Sequence, residues 1–188
     1  MVLEPYIAYR IGNTLASMNV LERMPVSPSL AQNAFITWCD RHRSTLLLKS
    51  GKPPKAGRPY RKIAVRIEGR EALVLRWAAN VRCLPHDHGN SSGFVYLLKG
   101  HLRNILLKPI NANFDAKPGD ILAIEHYQVH YMETKTESVS VHFYTGNETN
   151  FWVYDPDKKT RWLVKPNAGA WSPAPSDILR EEPCQLRW

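Results

Sequence analysis

A closed or two-sheet β-architecture preceded by helices is what this sequence predicts, and three observations predict it. Between Ile63 and Lys165 lie eight short runs: IAVRIEG, EALVLRWA, GFVYLLKG, HLRNILLK, DILAIEH, SVSVHFYTG, NFWVYD and RWLVK. Each is rich in Val, Ile, Leu or aromatics, and Gly, Asn, Asp or Pro separates them, which is the signature of strands and turns. Runs packed this densely leave no room for crossover helices, so a βαβ arrangement gives way to a barrel or sandwich. The residues ahead of them follow a helical period. The chain has 188 residues and 44% hydrophobic content, enough for a single domain with a sizeable core.

In chain order, residues 1–50 form the helical part. Ser27 and Pro28 read as an N-cap and a first-turn proline, and Leu30, Ala31, Ala34, Phe35, Trp38 and Cys39 recur at spacings of three and four, an amphipathic helix that must pack on something. The stretch KSGKPPKAGRPYRK follows, holding six of the 25 cations (Lys49, Lys52, Lys55, Arg58, Arg61, Lys62). Cations gathered in a Pro/Gly-rich loop rather than along a helix face read as a solvated loop with one or two members available to an anion, and not as a nucleic-acid footprint. Residues 60–165 form the β-barrel core. From Pro166 the tail 166–188 carries four prolines and no clear period; it reads as extended chain over the surface, pinned by Trp171 or Trp188.

Two further classes are set aside. Glu4, Pro5 and Arg10 interrupt any apolar leader, and nowhere do 18 apolar residues run together, so a cytoplasmic protein without a membrane partner is expected. Cys39, Cys83 and Cys184 are an odd, widely spaced set and fit reduced thiols, with Cys83 read as a buried structural thiol. The sequence assigns no oligomeric state.

The chemistry concentrates in LPHDHGNSSGFVYLLKG, residues 84–100. His86 and His88 flank one residue, and in extended chain such neighbours point the same way. A barrel can bring His130, in HYQVHYMET, beside them, and a third nitrogen completes a facial set with positions left open for substrate and oxygen. His101 and His126 read as surface or hydrogen-bonded residues.

These stretches resemble the cupin superfamily, which implies an all-β barrel of jelly-roll type with the N-terminal helices packed on it. His86, His88, four residues, position 93, six residues and Gly100 follow its first motif, and KPGDILAIEHYQVH, with the turn Lys117 to Asp120 and His130 as ligand, resembles the second. Most cupins carry a glutamate ligand at the position that is Gly93 here. Closer still, Trp77 placed nine residues before HDH, the continuation YLLKGHLRN and SVSVHFYTG resemble the cysteine dioxygenase family of thiol dioxygenases, over roughly residues 58 to 165. The resemblance implies a non-haem Fe(II) held by His86, His88 and His130, and a relay of Ser140, His142 and Tyr144. Spaced by two on one strand, those three share a face. In animal members the position of Gly93 is a cysteine crosslinked to the relay tyrosine; glycine implies the bacterial type, with Tyr144 a free phenol.

On the substrate side the family has an arginine two residues after a tyrosine. The corresponding position here is Lys62, with Arg61 one step away and Trp77 nearby; a one-residue register change would turn Arg61 inward, and Arg66 and Arg76 are further candidates. Small mercapto-acids such as 3-mercaptopropionate or cysteine are the expected thiols, with O₂ as co-substrate. The missing carboxylate has a chemical reading of its own. Three neutral imidazoles leave a divalent ion its full charge, so an anionic, soft sulfur is a favoured partner, and both oxygen atoms are expected to end on it as a sulfinate. Two other readings stay open: a three-histidine cupin dioxygenase that cleaves carbon–carbon bonds, and a non-catalytic cupin sensor.

Overall fold

The computed structural model describes residues 28–108, 111–145 and 150–184. The Ser27 cap, the rest of the expected helical part before Pro28 and the Trp188 pin lie outside these residues. Two helices, α1 (Pro28–Arg41) and α2 (Arg43–Lys49), precede twelve strands: β1 (Tyr60–Ile67), β2 (Arg70–Trp77), β3 (Val81–Arg82), β4 (Ser92–Lys99), β5 (Leu102–Lys108), β6 (Ala112–Ala116), β7 (Ile121–Ile124), β8 (Val129–Thr134), β9 (Ser138–Thr145), β10 (Phe151–Asp155), β11 (Thr160–Val164) and β12 (Ile178–Pro183). The expected all-β barrel of jelly-roll type, with helices packed on it, is what forms. Among the described residues no helix is long and apolar enough to cross a membrane.

One wall is a five-stranded sheet in the order β1-β2-β9-β4-β7, and the other joins β3-β8-β5-β6 to β10-β11-β12. Paired strands are antiparallel throughout. Non-consecutive neighbours such as β2-β9-β4 are the long return connections of a jelly roll. The seam in the second wall is closed by the histidine segment itself. His86 exchanges both backbone hydrogen bonds with His130 (2.8 and 2.9 Å), while the Asp87 N–H reaches the Trp152 carbonyl (3.1 Å) and the Tyr154 N–H reaches the Pro85 carbonyl (2.8 Å). Residues 85–87 therefore run between β8 and β10.

Strand alternation sorts the two faces of the first wall. Val65, Ala72, Val74, Tyr96, Leu98, Val139 and Val141 turn outward and form one core with Phe35, Trp38 and Cys39 of α1 and Leu46 of α2. Their strand neighbours Tyr60, Leu75, Trp77, Val95 and Leu97 turn inward, against Leu102, Leu122 and Met132. The apolar stripe of α1 is buried from Phe35 onward, whereas Leu30 in the first turn is exposed. Hydrogen bonds fix the helices in place: the Tyr96 hydroxyl donates to Asp40, and Arg43 donates to the Leu98 carbonyl.

All eight sequence runs correspond to strands. The four additional strands have weak signals: β3 is two residues long, β6 (ANFDA) has one large apolar residue, the apolar pattern of β8 (VHYMET) is interrupted by His130 and Glu133, and β12 (ILREEP) is half charged and lies in the tail. β12 forms because β11 offers it an edge, with a register shift between Leu163 and Val164, and Pro183 falls at its end where no ladder donor is needed. The tail ahead of it is anchored by Trp171, which packs edge-on against Tyr60 (5.0 Å) beneath the Arg58 guanidinium.

Trp38 is 1% exposed at the centre of the helix–sheet contact. Trp38→Ala is expected to lower stability by ~3–5 kcal/mol, read as a drop in the denaturant midpoint; a change within error would place the helices outside the cooperative fold.

Candidate metal centre

Extended backbone places His86 and His88 on one side of their segment, and the cross-strand pairing of His86 with His130 puts the third imidazole beside the first. One nitrogen from each ring can be chosen so that the three lie within 4.8 Å of one another. Ring centroids are 5.0 Å apart for His86 and His88, 4.6 Å for His86 and His130, and 5.1 Å for His88 and His130.

The surroundings decide which nitrogens face inward. His86 Nδ1–H donates to the Leu84 carbonyl (2.9 Å), and His130 Nδ1–H donates to Asn104 Oδ1 (2.6 Å). Both Nε2 lone pairs are thereby directed into the cluster, the arrangement by which outer partners orient metal-binding imidazoles. His88 Nε2 stands 3.0 Å from His130 Nε2. Two metal–nitrogen bonds of about 2.1 Å at a right angle separate their nitrogens by about 3.0 Å, so a divalent cation fits where a proton would otherwise bridge the pair. Three nitrogen donors suit iron among several transition metals.

Burial also sets the protonation state. Desolvation pushes His86 down to about 4, and His88 and His130 well below the ordinary imidazole value, with the neighbouring rings adding to the last two. Neutral imidazoles at neutral pH are competent ligands with no proton to displace. Asp87, between two of them, is turned away. Its Oδ1 accepts the N–H groups of Gly89 and Trp152 (both 3.1 Å), and Tyr154 Oη lies 3.4 Å from Oδ2. Burial raises its pKa while these hydrogen bonds work the other way. The carboxylate thus stiffens the turn and is not a ligand of the set.

On β9 the inward face carries Ser140, His142 and Tyr144. Trp77 Nε1–H donates to Ser140 Oγ (2.9 Å), Ser140 Oγ meets His142 Nε2 at 2.8 Å, and His142 Nδ1 meets the Tyr144 hydroxyl at 3.0 Å. The Tyr144 ring stacks on His88, 4.8 Å between centroids at 29°. Desolvation lowers His142 to about 3 and raises the Tyr144 phenol well above its ordinary value, so the series is neutral and fully protonated at its tyrosine end. Trp77, His142 and Tyr144 open on a cavity of about 250 Å³ lined also by Lys62, Leu73, Leu75, Met132 and Phe151, a volume that suits a small molecule.

The β1 register separates Arg61 and Lys62, the two cations expected on the substrate side. Lys62 pairs with Leu75, and Tyr60 with Trp77, so Lys62 shares their inward face and lines the cavity. Its Nζ donates to the carbonyls of Asn167 and Ala168 (3.1 Å each), and Ala170 N–H donates to the Tyr60 hydroxyl (2.9 Å); residues 166–170 are thereby drawn in as one wall. Arg61 points to the opposite face beside Gly51, Arg66 is exposed, and Arg76 is engaged by the Gly51 carbonyl and Glu137. Away from the cluster, His101 bonds Asp115 (2.9 Å) and His126 is exposed. Cys83 accepts the Met132 N–H (3.2 Å), and burial pushes its thiol up to about 12, an unreactive form.

Gly93 lies opposite Tyr144. A Cβ there would sit 2.9 Å from Tyr144 Cα and closer still to the Phe143 carbonyl. The backbones of β4 and β9 therefore leave no space for a side chain at this position, neither a carboxylate ligand nor a crosslinking thiol. Asn104 and Asp87 are the site residues to which the sequence reading gave no role. Asn104 lies within the quoted YLLKGHLRN, yet nothing local shows that its amide meets His130.

No protein-family model matches this chain, and no curated protein matches it in sequence. Among solved structures it is similar to a double-stranded β-helix domain protein of Klebsiella pneumoniae (14% identity, TM-score 0.47, covering 57% of this chain and 87% of that one). It is also similar to the Schizosaccharomyces pombe Cnp3 cupin domain (10%, 0.44, 53% and 72%). A third is salicylate 1,2-dioxygenase of Pseudoaminobacter salicylatoxidans (14%, 0.41), of which this chain spans 34%.

Two outcomes are expected. Gly93→Ala should lower stability by about 1–3 kcal/mol through overpacking, measured by denaturant unfolding; a neutral result would mean that the strands part freely. For the buried histidines, the unfolded chain takes protons near the ordinary 6.5 while folded His86 waits until about 4 and His142 until about 3. Stability of the metal-free protein should thus be full above 6.5 and fall as pH drops through that interval. A thermal midpoint that stays constant there would contradict neutral burial.

Proposed function

We propose that this chain is a non-haem iron(II) thiol dioxygenase that converts a small mercapto-acid and O₂ into the corresponding sulfinate. The observation that carries the reading is a ligand set of three neutral nitrogens with the carboxylate position closed by Gly93 against β9. Such a set favours an anionic substrate atom, and thiolate sulfur is soft, anionic and able to give up four electrons. The reaction balances without a further reductant: RS⁻ + O₂ → RSO₂⁻. His86, His88 and His130 would hold the iron, which when bound would supply the redox chemistry of the site.

The remaining groups bind and orient. Lys62, on the cavity face, offers a single compact charge for the substrate carboxylate, in contrast to the two-pronged contact of an arginine. Leu73, Leu75, Met132 and Phe151 supply apolar wall that keeps bulk water from the sulfur. Tyr144 stacks on a ligand ring and holds its proton, which makes it the hydrogen-bond donor to negative charge developing on oxygen. Ser140 and His142 fix its position, a series that a carbon-cleaving three-histidine site does not require.

Iron(II)-loaded protein, with metal content verified, should consume one O₂ per thiol when offered 3-mercaptopropionate, cysteine, cysteamine or mercaptosuccinate, and mass spectrometry should find a product heavier by two oxygens. Iron-replete protein inert towards all four would overturn the reading. Tyr144→Phe should reduce kcat roughly 10²-fold with iron content unchanged; parallel loss of iron would make Tyr144 a support for the metal instead.

A further inference from the structure

We infer that Trp77 is a positioning residue whose indole N–H sets the direction of hydrogen bonding along Ser140, His142 and Tyr144, so that Tyr144 presents its O–H to the cavity. The inference rests on the proposed role of Tyr144, but the quantity it fixes, the tautomer of His142, is independent of which substrate the cavity takes.

The argument is one of proton accounting. An indole N–H donates and never accepts, so Ser140 Oγ is the acceptor at 2.9 Å. Ser140 is 0% exposed and Trp77 1%, so their hydrogen bond is shielded from bulk solvent. The single Ser140 proton has one partner among its hydrogen bonds in the structure, His142 Nε2 at 2.8 Å. The opposite polarity, with Nε2–H donating to Ser140, would leave a buried hydroxyl proton unmatched, which disfavours it. His142 is neutral, because burial lowers its pKa to about 3. A neutral ring that accepts at Nε2 must carry its proton on Nδ1, the less common tautomer of a free histidine side chain. Nδ1–H then donates to the Tyr144 oxygen at 3.0 Å, and the phenol proton is left directed at the cavity.

Trp77 is not simply a wall residue on this account. Without its N–H, Ser140 is free to rotate and accept from Nε2–H; the series can then reverse, with Tyr144 donating to Nδ1 and turning lone pairs to the cavity. Polarity at a site 63 residues away in sequence thus decides whether the substrate meets a donor or an acceptor.

The test is a two-bond ¹H–¹⁵N correlation on metal-free protein labelled at histidine, with the His142 signals assigned by His142→Asn. Wild-type protein should give the Nδ1–H pattern. Trp77→Phe keeps an aromatic ring and removes only the donor; it should yield Nε2–H or a mixture. After iron loading, kcat should be lower by about tenfold with thiol KM unchanged. Ser140→Ala, which interrupts the same series with a smaller change in volume, should release the tautomer as well and serves if Trp77→Phe does not fold. An Nε2–H pattern in the wild type overturns the inference, as does an Nδ1–H pattern that survives either replacement. Lost activity with an unchanged tautomer would assign Trp77 to the cavity wall alone and overturn it equally. Absence of thiol turnover in wild-type protein with the tautomer behaving as expected would instead count against the proposed reaction.

Discussion

The reciprocal pair of backbone hydrogen bonds between His86 and His130 is the contact on which the rest of the site depends. It brings together residues 44 positions apart (130 − 86), and with the bonds from Asp87 and Tyr154 to β10 and the 85–87 segment it makes the ligand-bearing segment a structural member of the second wall. Ligand geometry is therefore not the property of a loop. It is set by a ladder whose next rungs are β5 on one side and β11 on the other, and Asn104 on β5 reaches across it to orient His130.

The first wall does the complementary work through period-two alternation. On β9, Val139 and Val141 face the helices while His142 and Tyr144 face the cavity and Ser140 lies behind His142 on the same side. One eight-residue strand so contributes to the hydrophobic core and to the polar series at once. The apolar side resists displacement because Trp38, Phe35 and Leu46 close over it, and that packing holds hydrogen bonds of 2.8 and 3.0 Å in register. The buried imidazoles are kept neutral by the same packing.

Local pattern made most of this legible. Turn residues and alternating apolar runs mark the strands; the HxH pair and the S-x-H-x-Y series mark inward faces, since each needs only a spacing of two, while His130 is singled out by the resemblance of its stretch. Pairing across the chain is what the sequence does not display. Whether Arg61 or Lys62 faces inward follows from the partner that Tyr60 meets on β2. Asn104 reads as one more polar residue in a strand until β5 lies against β8. The strand Ile178–Pro183 has no hydrophobic rhythm because its outer positions are solvated and charged, with Glu182 bound to Arg161; it exists only because β11 is next to it.

Gly93 has a consequence on another scale. Its neighbours leave no volume for a Cβ, so a glutamate or a cysteine at this position strains the β4–β9 pair with the same substitution that introduces the new side chain. Converting the three-nitrogen set into a carboxylate-bearing one therefore asks the two strands to move apart as well as the residue to change. The site's ligand chemistry is in that sense buffered against drift by backbone packing, and diversification is channelled to the cavity lining around Lys62 and the 166–170 wall, where side chains change without disturbing the ladder that carries the histidines.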